Sequence, residues 1–294
     1  MAHGHHQQGN SPHTATHPDW ADMIPYLERT AEVHAPLYTQ ALDWLRASRP
    51  GGTRLIVDAG SGPGAVSRQL AAAFPGARVV AADPEEALLA RAAERAAEAG
   101  LADRLSTLRV ELPAQSARLP EADLIWAARS LHHVGDQRTA VAALAGRLAP
   151  GGTLALVEGG LPWRCLPRDF GLGRPGLQAR LDVLEEERFA GMRSALPDAR
   201  RDTEDWAALL TDAGLAGASS RTFLLDLPAP LSPDARALLV ELWTRRRDGF
   251  EDFLTPGDAE VLDRLVDPAD PLSLHRRDDL FLLTAHTVHT AVRA

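Results

Sequence analysis

Leu55-Ile56-Val57-Asp58-Ala59-Gly60-Ser61-Gly62-Pro63-Gly64 runs a short apolar strand into a glycine-rich turn. One helix later, Val79-Val80-Ala81-Ala82 ends in Asp83. Glycine has no Cβ, so such a turn lets the backbone approach a ligand closely. The helix behind it points its positive end at any anionic group. A carboxylate at the end of the second strand can accept both hydroxyl protons of a ribose. Strand, glycine turn, helix, strand and acid together read as half of a nucleoside-binding α/β sheet.

Which nucleoside is a matter of the neighbouring residues. Read loosely, Gly60-x-Gly62-x-x-Ala65 satisfies the dinucleotide fingerprint, and Asp83 stands about 20 residues on, as that fingerprint asks. Asp58, however, lies two positions before the first glycine, where it repels a diphosphate but suits a sulfonium donor that also carries an ammonium group. Pro63 makes the loop compact, and the Tyr-x-x-x-Lys pair of a reductase is missing. These features favour a sulfonium donor over a nicotinamide.

The motifs that follow resemble the class I S-adenosylmethionine-dependent methyltransferases of small-molecule type, over residues 54–157 and more loosely in the last strand. Asp58-Ala59-Gly60-Ser61-Gly62-Pro63-Gly64 resembles the family's first motif, and Asp83, followed by Pro84, its ribose-binding acid. Glu111-Leu112, after a third strand at 107–110, stands where the family sets a polar residue and an amide against adenine. That position more often carries Asp, and Pro113 follows here. Ala122-Asp123-Leu124-Ile125-Trp126-Ala127-Ala128 resembles the fourth strand, and Ser130-Leu131-His132-His133-Val134 the loop that faces the methyl group. Leu148-Ala149-Pro150-Gly151-Gly152-Thr153-Leu154-Ala155-Leu156-Val157-Glu158 matches the turn and fifth strand. The resemblance implies an α/β fold, a Rossmann-like sheet of seven strands with a final antiparallel strand. It also implies S-adenosylmethionine as cofactor, held by Asp58, Gly60, Ser61, Gly62, Asp83, Pro84, Glu111 and Leu112, with Arg129 toward the methionine carboxylate. One scaffold serves many acceptors, so the donor does not name the substrate.

The chain has 294 residues, 31 basic against 40 acidic, for a net charge of -9. That balance argues against nucleic acid, whose phosphates call for a positive surface, and favours a small-molecule acceptor. One cysteine, Cys165, excludes an internal disulfide or a multi-thiolate metal site. No apolar run approaches the roughly 20 residues that span a bilayer, and no signal-like segment opens the chain, so no membrane and a cytoplasmic location are expected. A homodimer is left open. Residues 1–18 read as a His-rich disordered tail with no metal, in preference to a short metal-binding tract at His3, His5 and His6, 19–50 as a helical cap, 51–158 as the donor-binding core, and 159–294 as helical inserts and C-terminal strands that complete the sheet and acceptor pocket.

Within the cap, apolar residues recur at helical spacing and Pro36 divides the stretch into two helices. Helices are expected at 66–74, 84–99 and 136–148, alternating with strands as a parallel sheet with right-handed crossovers requires. After the fifth strand, which is expected to end at Glu158, come helices at 176–192 and 202–213, a strand at 219–227, further helices at 232–250 and 256–266, and a last strand at 279–292. Ligands of open α/β sheets bind at the carboxyl edge, so inserts there are candidates for acceptor selection.

Methyl transfer is an in-line displacement, helped by positioning and, for a phenol, hydroxyl or protonated amine, by a base. His132 is the candidate base because imidazole titrates near neutrality, and His133 then packs on helix or sheet beside the substrate. Glu158 either orients His132, binds a polar acceptor, or caps the strand end in solvent. Tyr38 and His34 in the cap line the acceptor pocket or serve as ordinary interface rings. Arg164, with Arg168, Arg174 and Arg180, either binds an acceptor carboxylate or phosphate or makes surface ion pairs. The leading reading is methyl transfer to an oxygen or nitrogen of a small metabolite. The alternative is a donor-binding fold that has lost transfer and serves as a binding module or in another reaction.

Overall fold

The computed structural model describes residues 20–48, 52–201 and 203–294. The expected N-terminal tail lies outside them. Seven strands form one sheet: β1 (Leu55–Ala59), β2 (Arg78–Asp83), β3 (Leu105–Arg109), β4 (Ala122–Ala128), β5 (Leu148–Arg164), β6 (Ala216–Leu227) and β7 (Leu282–Val292). Their order is β3-β2-β1-β4-β5-β7-β6. β1 pairs in parallel with β2 and β4, while β7 runs antiparallel to both its neighbours.

The central strands are apolar throughout because both faces of a parallel sheet are covered. Along β4, Leu124 and Trp126 face a layer formed by α2 (Ala35–Ala47), α3 (Ala65–Ala73) and α4 (Glu86–Glu98). Ile125 and Ala127 face the opposite layer, α5 (Gln137–Ala145) and α7 (Trp206–Asp212). Alternate residues thus serve separate cores, as the strand's period of two dictates. Trp126 is fully buried. At the other end of β4, the Asp123 carboxylate accepts the backbone N–H groups of Arg54 and Leu55 at 2.8 and 3.0 Å, so it anchors the start of β1.

The cap divides at His34, between α1 (Trp20–Val33) and α2, with Pro36 in the first turn of the second helix, where its missing N–H costs nothing. Glu28 and Glu32 of α1 pair with Arg91 and Arg95 of α4 at 2.7–2.8 Å. Arg29 of α1 meets Glu241 of α8 (Pro233–Phe250) at 2.6 Å, and Arg245 lies over the Tyr26 ring at 4.5 Å. α1 is therefore pinned from both sides across the sheet's carboxyl edge.

Two separate stretches supply the remaining helices. α6 (Leu177–Ala195) follows β5, and α8 and α9 (Pro256–Val266) lie between β6 and β7. Arg246 of α8 makes a two-toothed pair with Glu185 of α6, both contacts 2.9 Å. Arg180 of α6 grips Asp258 of α9 at 2.6 and 2.9 Å. The three helices form one layer.

Most boundaries differ from the sequence reading by up to four residues, and the end of β5 by six. β5 does not end at Glu158 but continues to Arg164, with a register shift between Val157 and Gly160. Gly160 sits at φ +131°, and a Cβ there would stand 1.9 Å from the Ala285 carbonyl. The Gly159-Gly160 pair bends the strand rather than stopping it, and β7 continues to pair with it beyond the bend.

Candidate functional site

The turn after β1 holds its shape through glycine. Gly60 has φ +75°, and a Cβ on it would lie 2.3 Å from that of Ser130, so the loops after β1 and β4 touch only because residue 60 lacks a side chain. The N–H groups of Gly60 and Ser61 both donate to the Ala82 carbonyl, at 2.7 and 3.1 Å, tying the turn to the end of β2. Gly62 has φ +53° with open space where its Cβ would stand.

The Gly62 N–H donates to Oδ2 of Asp83 at 2.9 Å, and the Glu85 N–H to Oδ1 at 3.0 Å. Each carboxylate oxygen keeps a second lone pair. Burial pushes the Asp83 carboxyl above the usual carboxylate range, against the two amides. Asp58 lies deeper, accepting the Ser67 hydroxyl at 2.5 Å, and burial pushes it up to about 7. Pro84 is exposed, its carbonyl accepting Nε of Arg109. Glu111 is exposed too: its carboxylate has no hydrogen bond or ion pair among the described residues, while its N–H donates to Gln115 at 3.3 Å. Leu112 packs against the apolar layer of Val110.

His132 rides on a short 3₁₀ turn, Leu131–His133, and its Nδ1 stands 3.0 Å from Oε2 of Glu158. Glu158 is buried, and its Oε1 accepts the N–H groups of Ser130 and Leu131 at 3.1 and 3.0 Å. A carboxylate only accepts, so Nδ1 of His132 carries the hydrogen and Nε2 presents a lone pair. Glu158 thus faces His132 and two loop amides rather than open solvent. His133 lies 4.2 Å from the His132 ring and meets Trp20 of α1 edge-on at 5.8 Å, so it packs on the cap.

Under the cap, His34 donates Nδ1–H to the Thr30 carbonyl at 2.7 Å and leaves Nε2 buried without a partner. Burial lowers its pKa to about 4, so near neutrality the ring is neutral and Nε2 is an acceptor. The His286 ring stacks on it at 5.3 Å, its Nδ1 also unpartnered, with burial lowering its pKa to about 2. Trp163 lies 4.9 Å from His34, and Tyr38 lies 5.9 Å from His286. Arg129, at φ +51°, places its positive charge within reach of Tyr26, His34, Tyr38, His133 and His286. Its guanidinium makes no hydrogen bond or ion pair with any described residue.

Arg164 does not join this group. Its guanidinium pairs with Asp182 of α6 at 2.6 Å and donates to the Trp163 carbonyl at 3.0 Å. Arg174 and Arg180 likewise share Asp258. His286 and Trp163 escaped the sequence reading. The signal for His286 is polarity: on the inward-facing alternation Leu282, Thr284, His286, Val288 of β7, a buried imidazole is out of place without a purpose; Trp163 carries no such signal. Among the described residues no cluster of three or more His, Cys, Asp or Glu is arranged to hold a metal, and no helix is long and apolar enough to cross a membrane.

Residues 57–154 match the methyltransferase domain family. An uncharacterised methyltransferase of Mycobacterium bovis is 37% identical over 115 residues, 38% of this chain and 54% of that protein. Trans-aconitate 2-methyltransferases of Variovorax paradoxus and Methylobacterium radiotolerans are 41% and 29% identical, the matches covering 46% and 67% of this chain and 49% and 78% of theirs. The chain thus spans about half the length of the first of these relatives. In fold it is similar to phosphoethanolamine N-methyltransferase 2 of Haemonchus contortus, with a TM-score of 0.50 at 17% identity over 96% of this chain and 61% of that one. The stretch that holds the glycine turn, Asp83 and the His132 loop is thus similar to a methyltransferase domain, set within this order of strands.

Proposed function

We propose that the protein transfers a methyl group from S-adenosylmethionine to an oxygen or nitrogen of a small metabolite held beneath the cap, with His132 as general base. The hydrogen bond from His132 Nδ1–H to the buried Glu158 carries this reading, because it fixes the tautomer a base needs.

The residues present fit the donor. Gly62 leaves open the face that a nucleoside would approach, and Asp83 is held by two amides with lone pairs left for ribose hydroxyls. Asp58 adds a buried carboxyl suited to a nearby cation. When bound, the donor supplies an electrophilic methyl group on its sulfonium. The chain's own part is positioning. Gly60 and Ser130 bring the donor turn and the His132 loop into contact, and Trp20 of the cap lies edge-on against His133 beside them. Nε2 of His132 takes the acceptor's proton as its nucleophile attacks, and Glu158 stabilises the imidazolium through Nδ1–H.

His34, Tyr38, Trp163 and His286 form the acceptor-side wall, offering rings and open imidazole nitrogens. Arg129, a cation without an acidic partner, favours an anionic acceptor, and two relatives are named for trans-aconitate. A trans-aconitate carboxylate is already ionised and gives His132 no proton to take, so the acceptors to supply are a panel of anionic metabolites bearing a phenol, hydroxyl or amine, with trans-aconitate beside them as the acceptor that needs no base, all scored for products heavier by one methyl group. His132→Ala should lower turnover by about a hundredfold or more while calorimetry shows unchanged affinity for S-adenosylhomocysteine. A fall of less than about threefold removes His132 from the mechanism. Tight S-adenosylhomocysteine binding with no methylated product anywhere in the panel would favour a fold that has lost transfer.

A further inference from the structure

The turn that carries His132 is held at both ends. Glu158 takes the N–H groups of Ser130 and Leu131 at its start. At its finish, the guanidinium of Arg193, from the last turn of α6, donates to the carbonyls of His132 at 2.9 Å, Val134 at 2.5 Å and Gly135 at 3.5 Å. The closing carbonyls of a short helix have no partners of their own, and a planar guanidinium is shaped to collect several at once. One helical turn before Arg193, Phe189 lies on the same face of α6 and meets the His132 ring at 5.7 Å.

The chain leaving α6 stays on this loop. The Arg200 N–H donates to the Gly135 carbonyl at 3.1 Å, and the Arg200 side chain pairs with Asp136 at 2.9 Å. Gly135 has no room for a Cβ, which would stand 1.9 Å from the Pro197 carbonyl. Helix α6 and its exit thus close over the carbonyl side of the loop.

We infer that Arg193 is a positioning residue for the methyl-transfer base: from the insert helix α6 it sets the orientation of His132 against Glu158. The inference rests on the reading of His132 as base. Arg193 touches only backbone carbonyls of the loop, so it acts through His132 rather than on the reactants.

The test uses the full-length protein labelled with ¹⁵N-histidine, with His132→Gln assigning the His132 signals. In the wild type, long-range proton–nitrogen spectra should show a single His132 tautomer with hydrogen on Nδ1. Arg193→Gln should replace it by averaged signals from both tautomers, and Arg193→Lys, which can reach some of the carbonyls, should restore part of the original pattern. Affinity for S-adenosylhomocysteine, measured by calorimetry, should stay within about threefold in both variants and so report an intact fold. With an acceptor in hand, Arg193→Gln should lower kcat about tenfold or more at near-constant KM, with no further loss when added to His132→Ala. An unchanged tautomer pattern in Arg193→Gln overturns the inference, as does a loss in turnover that multiplies with that of His132→Ala. If His132→Ala alone leaves turnover intact, it is the base assignment that fails, and the spectra still decide what Arg193 holds.

Discussion

Asp58 is buried beneath the donor turn with only the Ser67 hydroxyl to offset desolvation, and it keeps its proton up to about pH 7. A cation brought close favours the ionised form. Donor binding near pH 6 should therefore expel up to one proton. Calorimetry in two buffers of different ionisation enthalpy should show this release at pH 6, its disappearance by pH 8, and its absence in Asp58→Asn. The sign for stability follows from the same shift. The folded pKa lies above the ordinary 3.8, so the folded protein binds the proton more tightly than the unfolded chain. The contribution of Asp58 is most favourable in acid and is lost as pH rises from about 4 to about 7. Asp58→Asn should flatten that part of the profile.

Among the elements, the loop between β4 and α5 depends on close contact with the exit of α6. Gly135→Ala forces a methyl group into the Pro197 carbonyl, and the backbone on either side must part. We expect a loss of about 1–3 kcal/mol in urea unfolding, together with weakened methyl transfer, because the displaced segment carries Arg200 and borders Arg193. What the sequence disclosed divides along the same line. The glycine turn, Asp83 and the strand–helix alternation were legible because they rest on local backbone demands and on short-range periodicity. The end of β5 was not: Gly159-Gly160 reads locally as a stop, and only pairing with the distant β7 makes it a bend. His132 was legible from its place after β4, whereas its bond to Glu158 became visible only once β4 and β5 lay side by side. Arg193 and His286 carry no local pattern, and their roles come from contacts more than fifty residues away in the chain. The partner of Arg164 was illegible for the same reason, since Asp182 belongs to a helix whose docking the sequence does not state.

At the scale of the molecule, His34 joins the cap to β7 through rings that must stay neutral. Its folded pKa is near 4 and that of His286 near 2, both below the ordinary 6.5. The unfolded chain therefore binds these protons first, and stability is lost as pH falls from about 6.5 toward 4. Each residue contributes a slope of up to about 1.4 kcal/mol per pH unit. Asp58 works in the opposite direction, so the effect is best read as a difference: His34→Gln should show a shallower acid loss in urea titrations between pH 6.5 and 4.5 than the wild type.

The layer of α6, α8 and α9 comes from two distant parts of the chain, welded by Arg246–Glu185 and Arg180–Asp258. Evolution cannot then retune either insertion by itself, since exchanging one for that of a cousin strands a buried arginine or aspartate on the other. Any chimera that exchanges this layer has to transplant both segments together.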